Sequence, residues 1–308
     1  MDRTLKKAIY FKGQEKKDPN FLELKENLKN NGIEILEIDI DEIIKKIQED
    51  KKRESKIKDK IQKISIVGYL KKINTKKDVI AFTSRKTMLK ACHDAEIPVV
   101  GYYSENYYDE NLMGAEIVFS GFKGLTSEDI EDVYKRYYKL PITICQTKRC
   151  IIKEMSLDRF DELYDLYQQP HFTDYMEPLF EKKEEYEYQK AYIENVYPFY
   201  GYGYWLVIDK KTDKVIGRAG VELKERQGET SVELGYGIHP KYQRQGIAKE
   251  VCKSILEYVK KEFGLDEINC YIENGNLPSI ALAESLGFEH IKDVIEGKTL
   301  MKKYVIKM

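Results

Sequence analysis

Nothing in the 308 residues approaches the run of about 18 or more apolar residues that a membrane span needs. The opening Met1-Asp2-Arg3-Thr4-Leu5-Lys6-Lys7 lacks the apolar core of a signal peptide. Cysteine is sparse: Cys92, Cys145, Cys150, Cys252 and Cys270 are odd in number and show no CxxC spacing. That excludes a disulfide framework and, with the missing leader, implies a reduced, cytoplasmic protein. Four scattered histidines form no metal-ligand pattern, so no metal site is expected. A surplus of one charge is missing too, since 52 Lys and Arg against 53 Asp and Glu leave −1. This balance argues against a generally basic nucleic-acid binder or a polybasic membrane-surface protein. Apolar residues, at 42%, are enough for packed cores and too many for a disordered chain.

At roughly 100–200 residues per domain, this length fits two globular units. The first 140 residues alternate strand and helix patterns. Ala8-Ile9-Tyr10-Phe11 and Asp78 to Phe82 read as strands, as do Pro98 to Tyr102 and Glu116 to Phe119. Between Asp41 and Lys63 the chain reads as a charged, solvated helix or helix pair. Thr83-Ser84 is a plausible cap for a helix carrying Met88, Leu89, Cys92 and Ala95, and Thr126 with Asp129 resembles a capping box. Strands separated by helices imply βαβ units and a parallel, Rossmann-like sheet over residues 1–141. From 142 to 308 the pattern becomes a strand, a helix and then a run of strands, an α+β unit with a central mixed sheet. Tyr204 to Asp209 and Val215 to Leu223 read as a hairpin, and a third strand, Thr230 to Ile238, precedes a long helix from Gly246 to Phe263.

Chemistry concentrates at Glu233-Leu234-Gly235-Tyr236-Gly237-Ile238-His239-Pro240-Lys241-Tyr242-Gln243-Arg244-Gln245-Gly246-Ile247-Ala248. A strand here turns into a helix whose unpaired N–H groups and positive dipole end suit a phosphate. Gly246 and Ala248 allow close approach, and Arg244 and Lys249 add charge. An ordinary strand-to-helix turn is the alternative that spacing alone leaves open.

Gln243-x-x-Gly246-x-Ala248 is similar to the Q/R-x-x-G-x-G/A signature of the GNAT N-acetyltransferases, which cradles the pyrophosphate of acetyl-CoA. The order of further matches agrees over 142–308. Thr147-x-Arg149-Cys150-Ile151-Ile152-Lys153-Glu154-Met155 resembles the first strand of the subgroup that acts on ribosomal-protein N-termini. Glu233-Leu234-Gly235-Tyr236, Asn276-x-x-Ser279 and Glu284-Ser285-Leu286-Gly287-Phe288 resemble later family segments. The resemblance implies a cofactor, acetyl-CoA, and places residues around it. Backbone at Ile238 and His239 would pair with the pantetheine arm. Gln243, Arg244, Gln245, Gly246, Ile247, Ala248 and Lys249 would hold the pyrophosphate, and Asn276 and Ser279 would lie by the thiol. A splay between the strands bearing Ile238 and Tyr271 would admit the thioester.

The implied reaction is direct acetyl transfer to a primary amine, whether a peptide N-terminus, a polyamine or a small amine. Keeping a lysine-like amine neutral at pH 7 costs about 4.6 kcal/mol, so a base or a desolvated pocket is required. Glu233 is the candidate base or amine anchor, with Glu222 a weaker substitute. Strand alternation puts Glu233, Gly235 and Gly237 on one face, where the glycines would leave room for a substrate channel. His171 to Met176 and Tyr197 to Trp205 are aromatic stretches suited to core or pocket, and Glu181, Glu184, Glu185 and Glu187 to a solvated helical face. The tyrosine that many members use as a general acid falls at Ala283, leaving the acid unassigned and an acyl-CoA-binding regulatory protein without turnover as the alternative.

Residues 78–140 more faintly resemble the second half of a haloacid-dehalogenase-like (HAD-like) domain. Thr83-Ser84 stand where active members carry magnesium-binding acids, and Asp39-Ile40-Asp41 is followed by Glu42-Ile43 instead of the nucleophile motif. A magnesium-dependent phosphatase is therefore the lesser alternative to a degenerate scaffold for acceptor recognition, regulation or homodimer formation. Gly297-Lys298-Thr299 and Gly201-x-Gly203 lack the spacing of nucleotide loops.

Overall fold

Short apolar runs rich in Ile, Val and Phe become the strands of the first unit, and amphipathic segments between them become its helices. The computed structural model describes residues 3–12, 19–39, 66–103, 111–226 and 228–308. The chain divides into Met1–Tyr138 and Lys139–Met308.

In the first unit, β1 (Lys7–Lys12), β2 (Glu34–Asp39), β3 (Val79–Thr83), β4 (Val99–Tyr102) and β5 (Ile117–Phe119) form one sheet. Its order is β2-β1-β3-β4-β5, and every pair is parallel. The helices are α1 (Pro19–Asn30), α2 (Ile66–Ile73), α3 (Lys86–Asp94) and α4 (Ser127–Tyr137). All five residues of β3 are buried, as expected for a central strand of a parallel sheet covered on both faces. The parallel sheet matches expectation. Its 2-1-3-4-5 order is that of flavodoxin-like doubly wound sheets, and nothing in it supports the haloacid-dehalogenase assignment. Asp39 closes β2, an edge strand, while Asp41 and the charged helix read at 41–63 lie outside the described residues.

Two caps show how local chemistry sets helix ends. Thr126 accepts the Asp129 N–H at 3.3 Å while Asp129 accepts the Thr126 N–H at 2.7 Å, the reciprocal pair of a capping box at α4. Thr83 and Ser84 do not cap α3. The cap position belongs to Arg85, whose N–H is donated to the Thr83 hydroxyl at 3.1 Å, so the threonine closes the turn before the helix.

The second unit begins with a hairpin, β6 (Thr143–Gln146) and β7 (Cys150–Lys153), followed by α5 (Phe160–Tyr167) and α6 (Lys182–Tyr200). Then come β8 (Tyr204–Asp209), β9 (Lys214–Arg226), β10 (Glu229–Ile238) and α7 (Ile247–Phe263). The end is β11 (Glu267–Glu273), α8 (Leu277–Ser285), β12 (Glu289–Glu296) and β13 (Thr299–Lys307). Eight strands form one mixed sheet in the order β12-β13-β11-β10-β9-β8-β7-β6. Only β10 and β11 run parallel within it, and α7 supplies the crossover a parallel pair requires.

Ile247, Val251, Ile255 and Val259 recur every fourth residue along α7, and all are buried in the core with Trp205, Val207, Ala219 and Ile268. Burial of each such side chain is worth about 1.5–3 kcal/mol. Helix α6 runs further than its sequence signals, taking in Tyr197 and Pro198 before Gly201 ends it in a left-handed turn.

Thr126→Ala removes one half of the capping box and is expected to cost about 1 kcal/mol. Urea denaturation, with amide exchange followed across 127–137, measures it; unchanged protection of α4 would show that the cap carries no weight.

Candidate active site

Strand β10 is held unequally on its two sides. Ten residue pairs, from Glu229↔Arg226 to Ile238↔Gly217, join it to β9, whereas a single pair, Glu233↔Asn269, joins it to β11. Beyond that rung toward Ile238 and Glu273 the strands are unpaired, the splay expected from the sequence. Antiparallel strands alternate in which neighbour each residue's N–H and C=O face. His239 donates its N–H to Ile216 at the end of the β9 side (2.8 Å), so the Ile238 amide faces the opening.

This separates two residues expected to act together. His239 has both backbone groups engaged inside the protein, its N–H on Ile216 and its carbonyl on the Tyr242 N–H, so only the carbonyl's second lone pair is left for a pantetheine arm. Its imidazole Nδ1 accepts the Lys241 N–H at 3.1 Å, and burial, with Lys241 nearby, holds that ring below its ordinary pKa. The Ile238 carbonyl is occupied by the Gln243 side-chain amide at 2.9 Å. The Ile238 N–H remains as the donor directed to the opening.

Immediately after β10 the chain makes a 3₁₀ turn, Pro240–Tyr242, and two left-handed residues, Arg244 (φ 57°) and Gly246 (φ 76°), bring it to α7. The glycine takes that conformation without steric cost. The first backbone bond of α7 runs from the Glu250 N–H to the Gly246 carbonyl at 3.1 Å. Ile247, Ala248 and Lys249 therefore offer N–H groups with no intrahelical acceptor. Gln243, Arg244, Gln245, Gly246 and Lys249 are exposed, whereas the Ile247 side chain belongs to the core. Gln245, like Gln243, braces the loop, donating its side-chain amide to the Lys241 carbonyl at 2.8 Å. The loop thus presents backbone donors with two exposed cations, Arg244 and Lys249, and its residues fit an anion such as a pyrophosphate.

Arg149, read in the sequence only as part of a first strand, clasps this loop from the start of β7. Its Nη1 donates to the Gln245 carbonyl (2.8 Å) and its Nε to Glu250 (2.7 Å), while its backbone N–H reaches the other Glu250 oxygen (2.9 Å). No local pattern advertises a contact between residues 96 and 101 positions apart.

Glu233 is buried, at 4% exposure, and receives the Arg226 Nε at 2.7 Å. Arg226 also pairs with Glu296 and lies over the Tyr271 ring, 4.7 Å from its centroid. Arg226 belongs to no motif; strand alternation, which puts it on the Glu222 face of β9, is the one signal it carries in the sequence. Glu222 sits directly across from Glu233 and accepts the Tyr192 hydroxyl at 2.9 Å.

The glycines beside Glu233 do not leave an open channel. A side chain at Gly235 would collide with the Tyr204 ring, and one at Gly237 would come within 2.6 Å of Met176 and 2.9 Å of Phe172. The missing side chains make room for these residues to lie flat on the sheet. Tyr192, Tyr197, Phe172 and Trp205 are core, while Phe199 is exposed. A hollow of about 320 Å³ remains between Tyr188, Tyr192, Tyr200, Tyr202 and Glu222. Of the four helical glutamates, Glu185 is buried, accepting Gln189 Nε2 at 2.6 Å and the Phe180 N–H at 3.1 Å; Glu181, Glu184 and Glu187 are exposed.

At the far lip, Asn276 caps α8 by accepting the Ser279 N–H at 3.2 Å. The Tyr236 hydroxyl donates to the Ser279 carbonyl at 3.2 Å, and burial pushes that phenol far above its ordinary pKa. Ala283 is fully buried, so its position on α8 presents no acid.

The clasp has a pH signature. Burial raises the Glu250 carboxyl, but hydrogen bonds from Thr147 and Arg149 outweigh it and leave the pKa below the usual 4.5. A depressed folded pKa contributes stability that is present above the unfolded value and lost as pH falls through the folded one. Wild type should therefore melt above Glu250→Gln at about pH 7, with the gap closing below about pH 4. Melting curves of both proteins across that range test this, and a gap independent of pH would mean that the carboxylate charge does not hold the clasp.

Residues 149–289 match the family model of the acetyltransferase (GNAT) domain. The chain is 28% identical over 95 residues to the uncharacterized protein YkkB of Bacillus subtilis, covering 31% of this chain and 55% of that one. It thus spans about half the length of this relative. It is 26% identical over 148 residues to the uncharacterized N-acetyltransferase p20 of Bacillus licheniformis, covering 46% of this chain and 80% of p20. Among solved structures, an acetyltransferase (GNAT family) from Bacillus anthracis is similar with a TM-score of 0.45 at 20% identity, covering 53% of this chain and 96% of that chain. No helix among the described residues is long and apolar enough to cross a membrane. Just under half of this chain, residues 149–289, is thus similar to the acetyltransferase (GNAT) domain.

Proposed function

We propose that this protein transfers an acetyl group directly to a primary amine in the opening between β10 and β11. The observation that carries the reading is the single rung Glu233↔Asn269, beyond which two parallel strands part beside the unpaired N–H groups of α7. When bound, acetyl-CoA supplies a thioester whose acyl carbon is the electrophile. The N–H groups of Ile247, Ala248 and Lys249, with the Arg244 and Lys249 cations, hold its pyrophosphate. Asn276 and Ser279 line the thiol end. The Ile238 N–H, facing the opening, donates to an oxygen as negative charge develops on it.

On the acceptor side, Glu233 receives an N–H or the proton of the amine, and Arg226 fixes the carboxylate in place. Enclosure by Tyr204, Phe172 and Met176 excludes water, which lowers the cost of presenting an uncharged amine. With Ala283 buried, no tyrosine of α8 reaches a leaving thiolate, and a thiolate departs without an acid at neutral pH. The same absence fits the second reading, an acyl-CoA sensor without turnover. Acceptors consistent with the site are peptide N-termini, polyamines and small primary amines.

Gly246→Glu puts a carboxylate on the phosphate-binding turn and should abolish acetyl-CoA binding in calorimetric titration; retained micromolar affinity would remove the loop from the site. Glu233→Gln should lower kcat by about 10²-fold or more with acetyl-CoA affinity nearly unchanged. Free-thiol release in the presence of an amine panel measures it. Equal rates in both proteins would take Glu233 out of the reaction, and binding without thiol release from wild type would favour the sensor.

A further inference from the structure

Asn269 occupies the middle of β11, between Glu233 of β10 on one side and Val305 of β13 on the other. It is 2% exposed, and its side-chain Oδ1 is buried with no hydrogen-bond partner among the described residues. Register partners in adjacent strands project to the same face of a sheet, so Asn269 stands beside Glu233 at the floor of the splay. The cations of that face are engaged elsewhere: Arg226 gives Nε to Glu233 and Nη1 to Glu296, and Lys303 donates to Glu229. Val305 offers no side-chain donor.

A buried amide oxygen without a donor costs more than an apolar side chain of the same size would. Ile268, Cys270 and Ile272, which alternate with it along β11 and project to the opposite face, are all buried and apolar, while Tyr271 and Glu273 share its face. An acceptor atom kept beside a buried carboxylate, at the point where two strands part, calls for a ligand that brings N–H donors. A primary amine has two when neutral and three when charged, enough to serve both oxygens at once.

We propose that Asn269 is part of the acceptor site, its side-chain oxygen receiving an N–H of the same primary amine that Glu233 holds. This rests on the reading of the opening as the place of amine acetylation and adds a second contact to it. Two acceptors at the base of the splay fix two N–H directions of the amine and leave its lone pair aimed along the third, toward the parted strands. The site then takes a primary amine and rejects a tertiary one, which has no N–H when neutral and a single one when charged, too few to serve both oxygens.

The test uses the full chain, wild type and Asn269→Leu, with n-propylamine and N,N-dimethylpropylamine as probes. The Asn269 side-chain amide signal is assigned by its loss in the variant. Adding n-propylamine at about pH 9 should move that signal saturably in wild type, and N,N-dimethylpropylamine should move it at least tenfold less. No movement with n-propylamine, or equal movement with both, overturns the proposal.

The variant should also melt at the same temperature as wild type or about 2–6 °C higher, because an orphaned polar atom has been removed. A melting temperature lowered by more than that range means that Asn269 holds the sheet together, and overturns it as well. Acetyl-CoA affinity should be unchanged in Asn269→Leu. Turnover is read separately: a saturable shift without thiol release would keep Asn269 as an amine site while removing the transfer reaction.

Discussion

Strand β10 is paired along its whole length on one edge and at one point on the other. Much of the second unit's organisation follows from that asymmetry. The single parallel partner forces a crossover, and the crossover is α7, so the helix begins where the strand ends. Ligands of parallel strands gather at their carboxyl ends for the same topological reason. Here the parted strands and the helix N-terminus are two results of one connection. An amide on the open edge of β10 has no strand to bond, and its unmet capacity is available to a ligand.

The face opposite α7 is built to stay in place. Tyr204 lies across Gly235, Tyr192 donates to Glu222 while accepting the Tyr204 N–H at 2.8 Å, and Tyr197 donates to the Tyr204 carbonyl at 2.6 Å. Arg218 stacks over Tyr204 at 5.1 Å and Tyr192 at 5.8 Å. Burial pushes the Tyr192 and Tyr204 phenols far above their ordinary range, so these rings remain neutral donors at any physiological pH. Among the charges left on this face are the carboxylates of Glu222 and Glu233 and the cations that meet them. A neutral aromatic wall around a few fixed charges is a low-dielectric setting in which each charge acts strongly.

What the sequence discloses and what it conceals divide along contact range. Gln243-x-x-Gly246-x-Ala248 is legible because strand, turn and helix are consecutive and each residue's task is local. The capping box at Thr126 and Asp129 is legible for the same reason. Thr83 misleads because a hydroxyl three residues before a helix can close a turn as easily as cap one, and only the backbone angles at Arg85 decide. Gly235 and Gly237 mislead differently: a glycine signals room, but not which neighbour takes it, and Tyr204, Phe172 and Met176 come from distant segments. The N-terminal sheet order is not in the pattern of strands at all, since a right-handed βαβ unit can add its next strand at either edge of the growing sheet.

Arg149 and Glu250 are 101 positions apart, and the loop they close is correspondingly expensive in chain entropy. Contacts of that separation form late in folding. At about 5–20 residues per second, a ribosome makes β7 some seconds before α7 exists to be clasped. The turn that offers its amides to an anion is thus incomplete in every shorter nascent chain. A partly made protein would expose the β7 end of the clasp without the other, and ligand capacity would arrive only once α7 has been made.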